Sequence, residues 1–271
     1  MSAVTLSLSD LSIGYHKKVV AQGLNASLTE GSMTCLLGPN GAGKSTLIRT
    51  LAGFQPPLNG HIYIGGDDIR SLSRLQLARK VSVVLTQRTD AANLTVEELV
   101  GLGRSPYTGF FGSLRDSDRK MVAAALKLTG ISALAHRKVY SLSDGERQKT
   151  MIAKAITQQT PLILLDEPTS FLDFSSRISL LRLLRRLAHD EGRTIFLSTH
   201  DVQLAMQLAD ALWLMSPCKS ITIGTPRQLA DSGAVVDLLG CEGASFNPSN
   251  FTFSIQSGPS APEPGTATAE G

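Results

Sequence analysis

An α/β fold organised around a parallel sheet is the architecture this sequence predicts. The first observation is four short apolar runs, MTCLL at 33–37, VSVVL at 81–85, LILL at 162–165 and TIFLS at 194–198. Each lacks polar alternation, the pattern of a strand buried on both faces. The second is that helical patterns at 45–52, 175–189 and 202–209 separate several of these runs, as in an α/β core. The third is composition: 42% hydrophobic residues in 271 are enough for a substantial core.

Taken in order, the chain opens with Val4, Leu6 and Leu8 alternating with Thr5 and Ser7, a half-buried strand. Further short strands are expected at 19–20 and 62–64, with Gly65-Gly66 turning the chain before Asp67. Together they predict an N-terminal antiparallel β subdomain. From about 95 to 130, LTVEELVGLG and SDRKMVAAALKLTG read as helices with no strand between them. Residues 88–157 are therefore expected to form an α-helical subdomain inserted into the sheet. Residues 1–240 read as one domain and 241–255 as a C-terminal extension. The tail QSGPSAPEPGTATAEG, 256–271, lacks core-forming side chains and is expected to be disordered. No internal repeat is present.

A net charge of +3 gives no argument for nucleic acid as a partner. The densest basic cluster, RLLRRL at 182–187, reads as a solvated helix face. Cys35, Cys218 and Cys241 are far apart, without metal-ligand spacing, and read as reduced thiols of a cytoplasmic protein. The start MSAVTLSLSD has neither a basic segment nor an apolar stretch, so no secretory signal is expected. No apolar run approaches the roughly 18 residues of a spanning helix.

Gly38, Pro39, Asn40, Gly41, Ala42, Gly43, Lys44 and Ser45 match G-x-x-x-x-G-K-[ST] between an apolar strand and a helical run. In such a loop the glycines let backbone N–H groups wrap phosphates. Lys44 neutralises the β- and γ-phosphates, and Ser45 offers its hydroxyl to Mg²⁺. Asp166 ends the apolar strand of LILLDEP, where an outer-sphere Mg²⁺ carboxylate belongs. Glu167 follows and is placed to orient or deprotonate an attacking water. In SLSDGERQ, Ser143 and Glu146 have capping-box spacing, so a helix N-terminus able to face an anion starts there.

GPNGAGKST, LSDGERQ and LILLDEP, in this order, resemble the nucleotide-binding subunit of an ATP-binding cassette (ABC) transporter, over residues 4–224. The resemblance implies a P-loop NTPase core with ATP and Mg²⁺ as ligands, and Gly38 to Thr46 as the phosphate cradle. It further implies that Tyr15 stacks on adenine and that Gln87 reaches Mg²⁺ and the attacking water. Asp173, in SFLD, takes the family's place after the second acidic motif, and His200 takes that of the γ-phosphate sensor. In this family two cassettes pair head to tail. Ser143, Asp144, Gly145 and Glu146 would thus grip the γ-phosphate of ATP held by a second copy. Asp144 and Glu146 depart from the common LSGGQ signature, and Phe171 stands where alanine is usual. Glu146 has a capping role available to it, and Asp144 is expected to face outward.

The mechanism implied is closure of two subunits around two ATP molecules, followed by hydrolysis that reopens them. Expected partners are a second copy, integral membrane permease subunits and, indirectly, a substrate-binding protein, with the chain peripheral on the cytoplasmic face of the plasma membrane. LTVEELVGLGRSPYTGFFG is similar to importer subunits for iron–siderophore complexes, haem and vitamin B12. Its Tyr107, Phe110 and Phe111 fit two readings, a docking surface for the permease or rings that pack the helical subdomain. A soluble ABC ATPase of iron–sulfur cluster assembly is the alternative function.

Overall fold

The computed structural model describes residues 3–15, 18–86, 93–109, 112–216, 220–239 and 244–255. Gln87, Phe110, Phe111, Cys218, Cys241 and the tail 256–271 lie outside the described residues. Two long strands, β1 (Val4–Tyr15) and β2 (Lys18–Thr29), form a hairpin, followed by β3 (Met33–Leu37) and helix α1 (Lys44–Leu51). Next come β4 (Asn59–Ile64), β5 (Asp67–Asp68), α2 (Arg74–Lys80) and β6 (Val81–Val84). The chain then runs through helices α3 (Val96–Gly101), α4 (Asp116–Leu128) and α5 (Asp144–Thr157) before β7 (Leu162–Leu165). It continues with α6 (Phe174–His189), β8 (Thr194–Ser198), α7 (Val202–Leu208), β9 (Ala211–Met215) and β10 (Ile221–Gly224). Helices α8 (Pro226–Asp231) and α9 (Ala234–Leu239) and a hairpin of β11 (Ala244–Asn247) and β12 (Thr252–Ile255) follow.

The six-stranded sheet has the order β10-β9-β3-β8-β7-β6 and is parallel except at the β9–β10 edge. Its strands show why their sequences are continuous apolar runs. Met33, Cys35 and Leu37 of β3 face one core with Ile163, Leu165, Ile195, Leu197, Leu212 and Leu214. Leu36 faces the opposite core with Leu162, Leu164, Phe196, Trp213 and Met215. The period-2 geometry of a strand sends alternate side chains to two apolar layers. The first layer is closed by helices, including α6. The second is closed by α1 and by the antiparallel sheet β2-β1-β4-β5, through Leu6, Leu11, Ile13 and Leu28. Phe196 and Trp213 meet edge to face at 4.8 Å within it. The hydroxyls of Thr5 and Thr194 bond at 2.6 Å and join the two sheets. Burial among these residues pushes the Cys35 thiol well above its usual range, so it behaves as a small apolar side chain.

The expected strand at 19–20 is the beginning of a twelve-residue strand, β2. Its polar residues face solvent and hide its length from a pattern reading. Strand β9 was not anticipated, although ALWLM carries the same apolar signature as its neighbours. In the C-terminal hairpin, Phe246 and Phe253 lie 4.8 Å apart, and with Phe251 they pack against the sheet's core.

Between β6 and β7 the described residues form helices and turns, with Val96, Val100, Val122, Ala125, Leu126 and Ala153 as a separate small core. One ion pair organises its border. Arg104, 6% exposed, donates Nε to Asp118 Oδ1 at 2.8 Å and Nη1 to the Thr157 carbonyl at 3.0 Å. Its guanidinium also lies 4.2 Å from the centroid of Tyr107, and Arg79 approaches the same ring at 5.6 Å. Tyr107 thus stands at the border between α2 and the subdomain. The Arg104 hydrogen bond holds the Asp118 carboxyl below its usual range. A carboxylate with a depressed pKa stabilises the fold above its unfolded pKa and loses that contribution as pH falls through the folded value. We predict that Asp118→Ala costs about 3 kcal/mol at neutral pH, because Arg104 is left buried without its counter-charge. Denaturant melts should show the gap to the parent narrowing below about pH 4. An equal gap at pH 7 and pH 3 would mean that lost packing, not the charge pair, carries the effect.

Candidate active site

The carboxyl ends of β3, β7 and β8 lie at one edge of the sheet, since Leu36 pairs with Ser198 and Leu165 with Leu197. Ligands of open α/β sheets bind at this edge. Gly38 to Gly43 leaves β3 and turns into α1. A Cβ at Gly38 would lie 2.5 Å from the Met215 carbonyl oxygen, so the chain there tolerates no side chain. Gly43, with φ of 107°, would direct a Cβ to 2.2 Å from Val20 Cγ1, so both conformation and space require glycine. Asn40 and Gly41 form the exposed tip, and the Ala42 amide closes the turn onto Pro39 at 3.3 Å.

Lys44 is buried, and its Nζ donates to the carbonyls of Gly38 at 2.7 Å and Pro39 at 3.1 Å. Burial lowers its pKa, and the fields of Glu167 and Asp166 partly offset that effect. The ammonium thus sits at the mouth of a loop whose geometry suits an anion. Ser45, in the first turn of α1, donates its hydroxyl to Asp166 Oδ1 at 3.1 Å. Thr46 donates its hydroxyl to Tyr15 Oη at 3.4 Å, so the half-exposed tyrosine at the end of β1 stands beside the loop.

Asp166 is 4% exposed, and the same Oδ1 accepts the Ser198 hydroxyl at 2.8 Å. Its backbone N–H donates to the Val84 carbonyl, and its carbonyl accepts the Thr86 hydroxyl. The next residue, Glu167, has φ of 50°, the left-handed region, which costs of order 1 kcal/mol for a residue with a Cβ. Three bonds hold it there. Its N–H donates to Ser198 Oγ at 2.9 Å, and its carbonyl accepts the Ser170 amide and hydroxyl. The turned backbone brings Glu167 Oε1 to 2.6 Å from His200 Nε2. A carboxylate only accepts, so the proton of this bond is on Nε2.

Phosphate-loop residues, Tyr15, Asp166, Glu167 and His200 therefore converge. Ser143, Asp144, Gly145 and Glu146 stand elsewhere, at the start of α5 beside Phe171 and Leu172. The capping box is formed: Ser143 Oγ accepts the Glu146 amide at 3.3 Å, and Glu146 Oε2 accepts the Ser143 amide at 2.9 Å. These bonds, with Arg137 at 3.6 Å, hold the Glu146 carboxyl below its usual range. Asp144 is exposed. Asp173 caps α6, its Oδ1 accepting the Ser176 amide at 2.7 Å and the Ser175 hydroxyl at 2.9 Å. Gln87 falls outside the described residues. Ser198 and Thr86 escaped the sequence reading, although a serine closing the apolar strand TIFLS was a signal that it faces a polar partner.

The sequence profile described as ABC transporter matches residues 21–170, which run from β2 past Glu167. The ferric enterobactin transport ATP-binding protein of Escherichia coli is 36% identical over 88% of this chain and 88% of its own length. A metal-chelate type ABC transporter solved in an inward-facing conformation superposes with a TM-score of 0.77 at 28% identity, over 94% of this chain and 96% of that one. A dimeric ATP-binding cassette in a post-hydrolysis state, bound to ADP and phosphate, superposes at 0.73 with 25% identity, over 82% and 98%. A phosphate loop, a buried aspartate, a glutamate paired with a histidine and this likeness over nearly the whole fold lead to one conclusion: the chain is an ATP-hydrolysing member of the ABC transporter family, one of its ATP-binding subunits.

Proposed function

We propose that the chain drives uptake of an iron–siderophore or cobalamin-type cargo, hydrolysing ATP between two copies of itself bound to a membrane permease. The observation that carries the catalytic reading is Glu167, held in a left-handed backbone with its carboxylate on His200 and beside Lys44. Glu167 holds the attacking water by one carboxylate oxygen and accepts its proton, a role assignable to a carboxylate within reach of the γ-phosphate. His200 positions that carboxylate through Oε1 and is adjacent to the γ-phosphate position. Lys44 exchanges its bonds to Gly38 and Pro39 for phosphate oxygens, and Tyr15 stacks on the base. The Ser45 hydroxyl and the Asp166 carboxylate, 3.1 Å apart, are hard oxygen donors of the kind Mg²⁺ takes. Those two residues, with Gln87, would hold the ion, which when bound supplies charge neutralisation between phosphate oxygens.

The site of one copy is incomplete without the other's signature. Gly145 supports this reading physically. Glycine inside a helix costs about 1 kcal/mol relative to alanine, and this chain's own packing gives little return. A Cβ there would meet Leu172 Cδ2 at 3.3 Å, the end of a flexible side chain. Close approach of a second copy's phosphate to the backbone explains the residue. Ser143 Oγ accepts through a lone pair and keeps its proton to donate to that phosphate. Asp173 would act at this interface through the loop it caps.

The permease docks on a groove of about 550 Å³ beside the phosphate-loop helix, lined by Phe54, Arg74, Leu77, Lys154 and Gln158. Phe54 is 62% exposed there and Leu75 nearby is 51% exposed, an apolar invitation rimmed by cations. No helix among the described residues is long and apolar enough to cross a membrane; in this reading the permease holds the chain at the membrane, on its cytoplasmic face.

Three expected outcomes test this reading. Glu167→Gln lowers turnover by roughly 10²–10⁴ and traps an ATP-bound dimer on size exclusion; parent-rate hydrolysis by that variant would remove Glu167 from the role of base. Gly145→Ala leaves the melting temperature unchanged or raised while ATPase falls about a hundredfold. Normal turnover in it would show that no phosphate approaches α5. Phe54→Asp keeps the basal ATPase of the isolated chain but loses co-purification with a many-helix membrane protein. If recovery from detergent-solubilised membranes is unchanged, or only soluble cluster-assembly proteins are recovered with the parent, the docking surface or the transporter assignment fails.

A further inference from the structure

The end of α4, the start of α5 and the flank of α6 border a cavity of about 280 Å³. Lys127, Lys149 and Arg186 line it, one from each helix, together with Ser176 and the aliphatic side chains of Leu180 and Leu183. No carboxylate belongs to the lining. Among the described residues, none of the three cations has a carboxylate within ion-pair distance. Glu146 and Asp173 are close enough to feel the charge of Lys149. Each of these has its own work as a helix cap.

Three cations converging on one concavity repel one another and focus a positive potential into it. A dianion relieves that repulsion, and hydrogen bonds to a charged acceptor are about twice as strong as neutral ones. The wall matters as well. Leu128, at the end of α4, also lines the cavity and is 40% exposed, so an occupant resting on it gains by covering apolar surface, which a bare ion cannot do. The volume lies just below the range for small-molecule sites, roughly 300–1,000 Å³, and suits a short occupant. We propose that this cavity binds a small organic phosphate, with the phosphate between Lys127, Lys149 and Arg186 and its short apolar body against Leu128. A phosphate monoester carries nearly two negative charges at neutral pH and three strong acceptor oxygens, which matches three cations and the Ser176 hydroxyl. Because the three cations come from α4, α5 and α6, the occupant ties the helical subdomain, and the signature at the head of α5, to the core.

The test uses the full-length chain saturated with ADP, so that the phosphate loop is occupied, titrated with phenyl phosphate and separately with inorganic phosphate by NMR or calorimetry. The expected result is saturable binding of phenyl phosphate, tighter than inorganic phosphate. In the double variant Lys127→Ala, Arg186→Ala it should weaken at least roughly tenfold. Both side chains are exposed, so the variant should keep the parent's melting temperature. Absence of saturable binding at millimolar phenyl phosphate would overturn the proposal. So would equal affinity in the double variant, or inorganic phosphate binding as tightly as the ester.

Discussion

A buried carboxylate has to be satisfied, and the arrangement around Asp166 follows from that requirement. An unpartnered charge at 4% exposure would cost several kcal/mol. Two hydroxyls meet it, Ser45 from the start of α1 and Ser198 from the end of β8. Its backbone bonds to Val84, the last residue of β6, and to the Thr86 side chain. One residue thus ties β6, β7, β8 and the phosphate-loop helix into a fixed geometry. The same Ser198 hydroxyl receives the Glu167 amide, so the anchor also sets the strained backbone beside it.

That coupling explains why strain is tolerable at Glu167. A left-handed residue with a Cβ persists only where its surroundings determine it. Here a strand on one side, Ser170 on the other and His200 on the side chain do so. The result is a carboxylate aimed along the edge where the phosphate loop opens, rather than one left in a solvated turn. The parallel strands supply rigidity from both faces, since their alternate side chains enter two separate apolar layers.

The helical subdomain is built on different terms. Its small core is distinct, and its border with the rest depends on Arg104, which bonds Asp118 and the end of α5 while stacking on Tyr107. The residues Ser143 to Glu146 lie at the head of α5, beside Phe171 and Leu172. In the head-to-tail pair proposed above they would meet the other copy's nucleotide, which would give Gly145 a purpose that the single chain does not. The cation-lined cavity between α4, α5 and α6 lies at the same border, where a bound group would bear on how the signature is presented.

What the sequence determined by itself was everything carried by local spacing. The phosphate loop, the Ser143–Glu146 cap and the two-faced apolar strands are legible because each depends on residues within a few positions of one another. The acidic pair after β7 belongs with them, since its place follows directly from an apolar strand. The tertiary structure decided the rest. Ser198 acquires its meaning from Asp166 thirty-two residues away, and His200 meets Glu167 across thirty-three. The length of β2 is set by its pairing with β1. Tyr107 meets Arg79 of α2 across twenty-eight positions. These contacts arise from strand register and helix placement. No spacing in the chain encodes them, because the distance they close exists only once the sheet has formed.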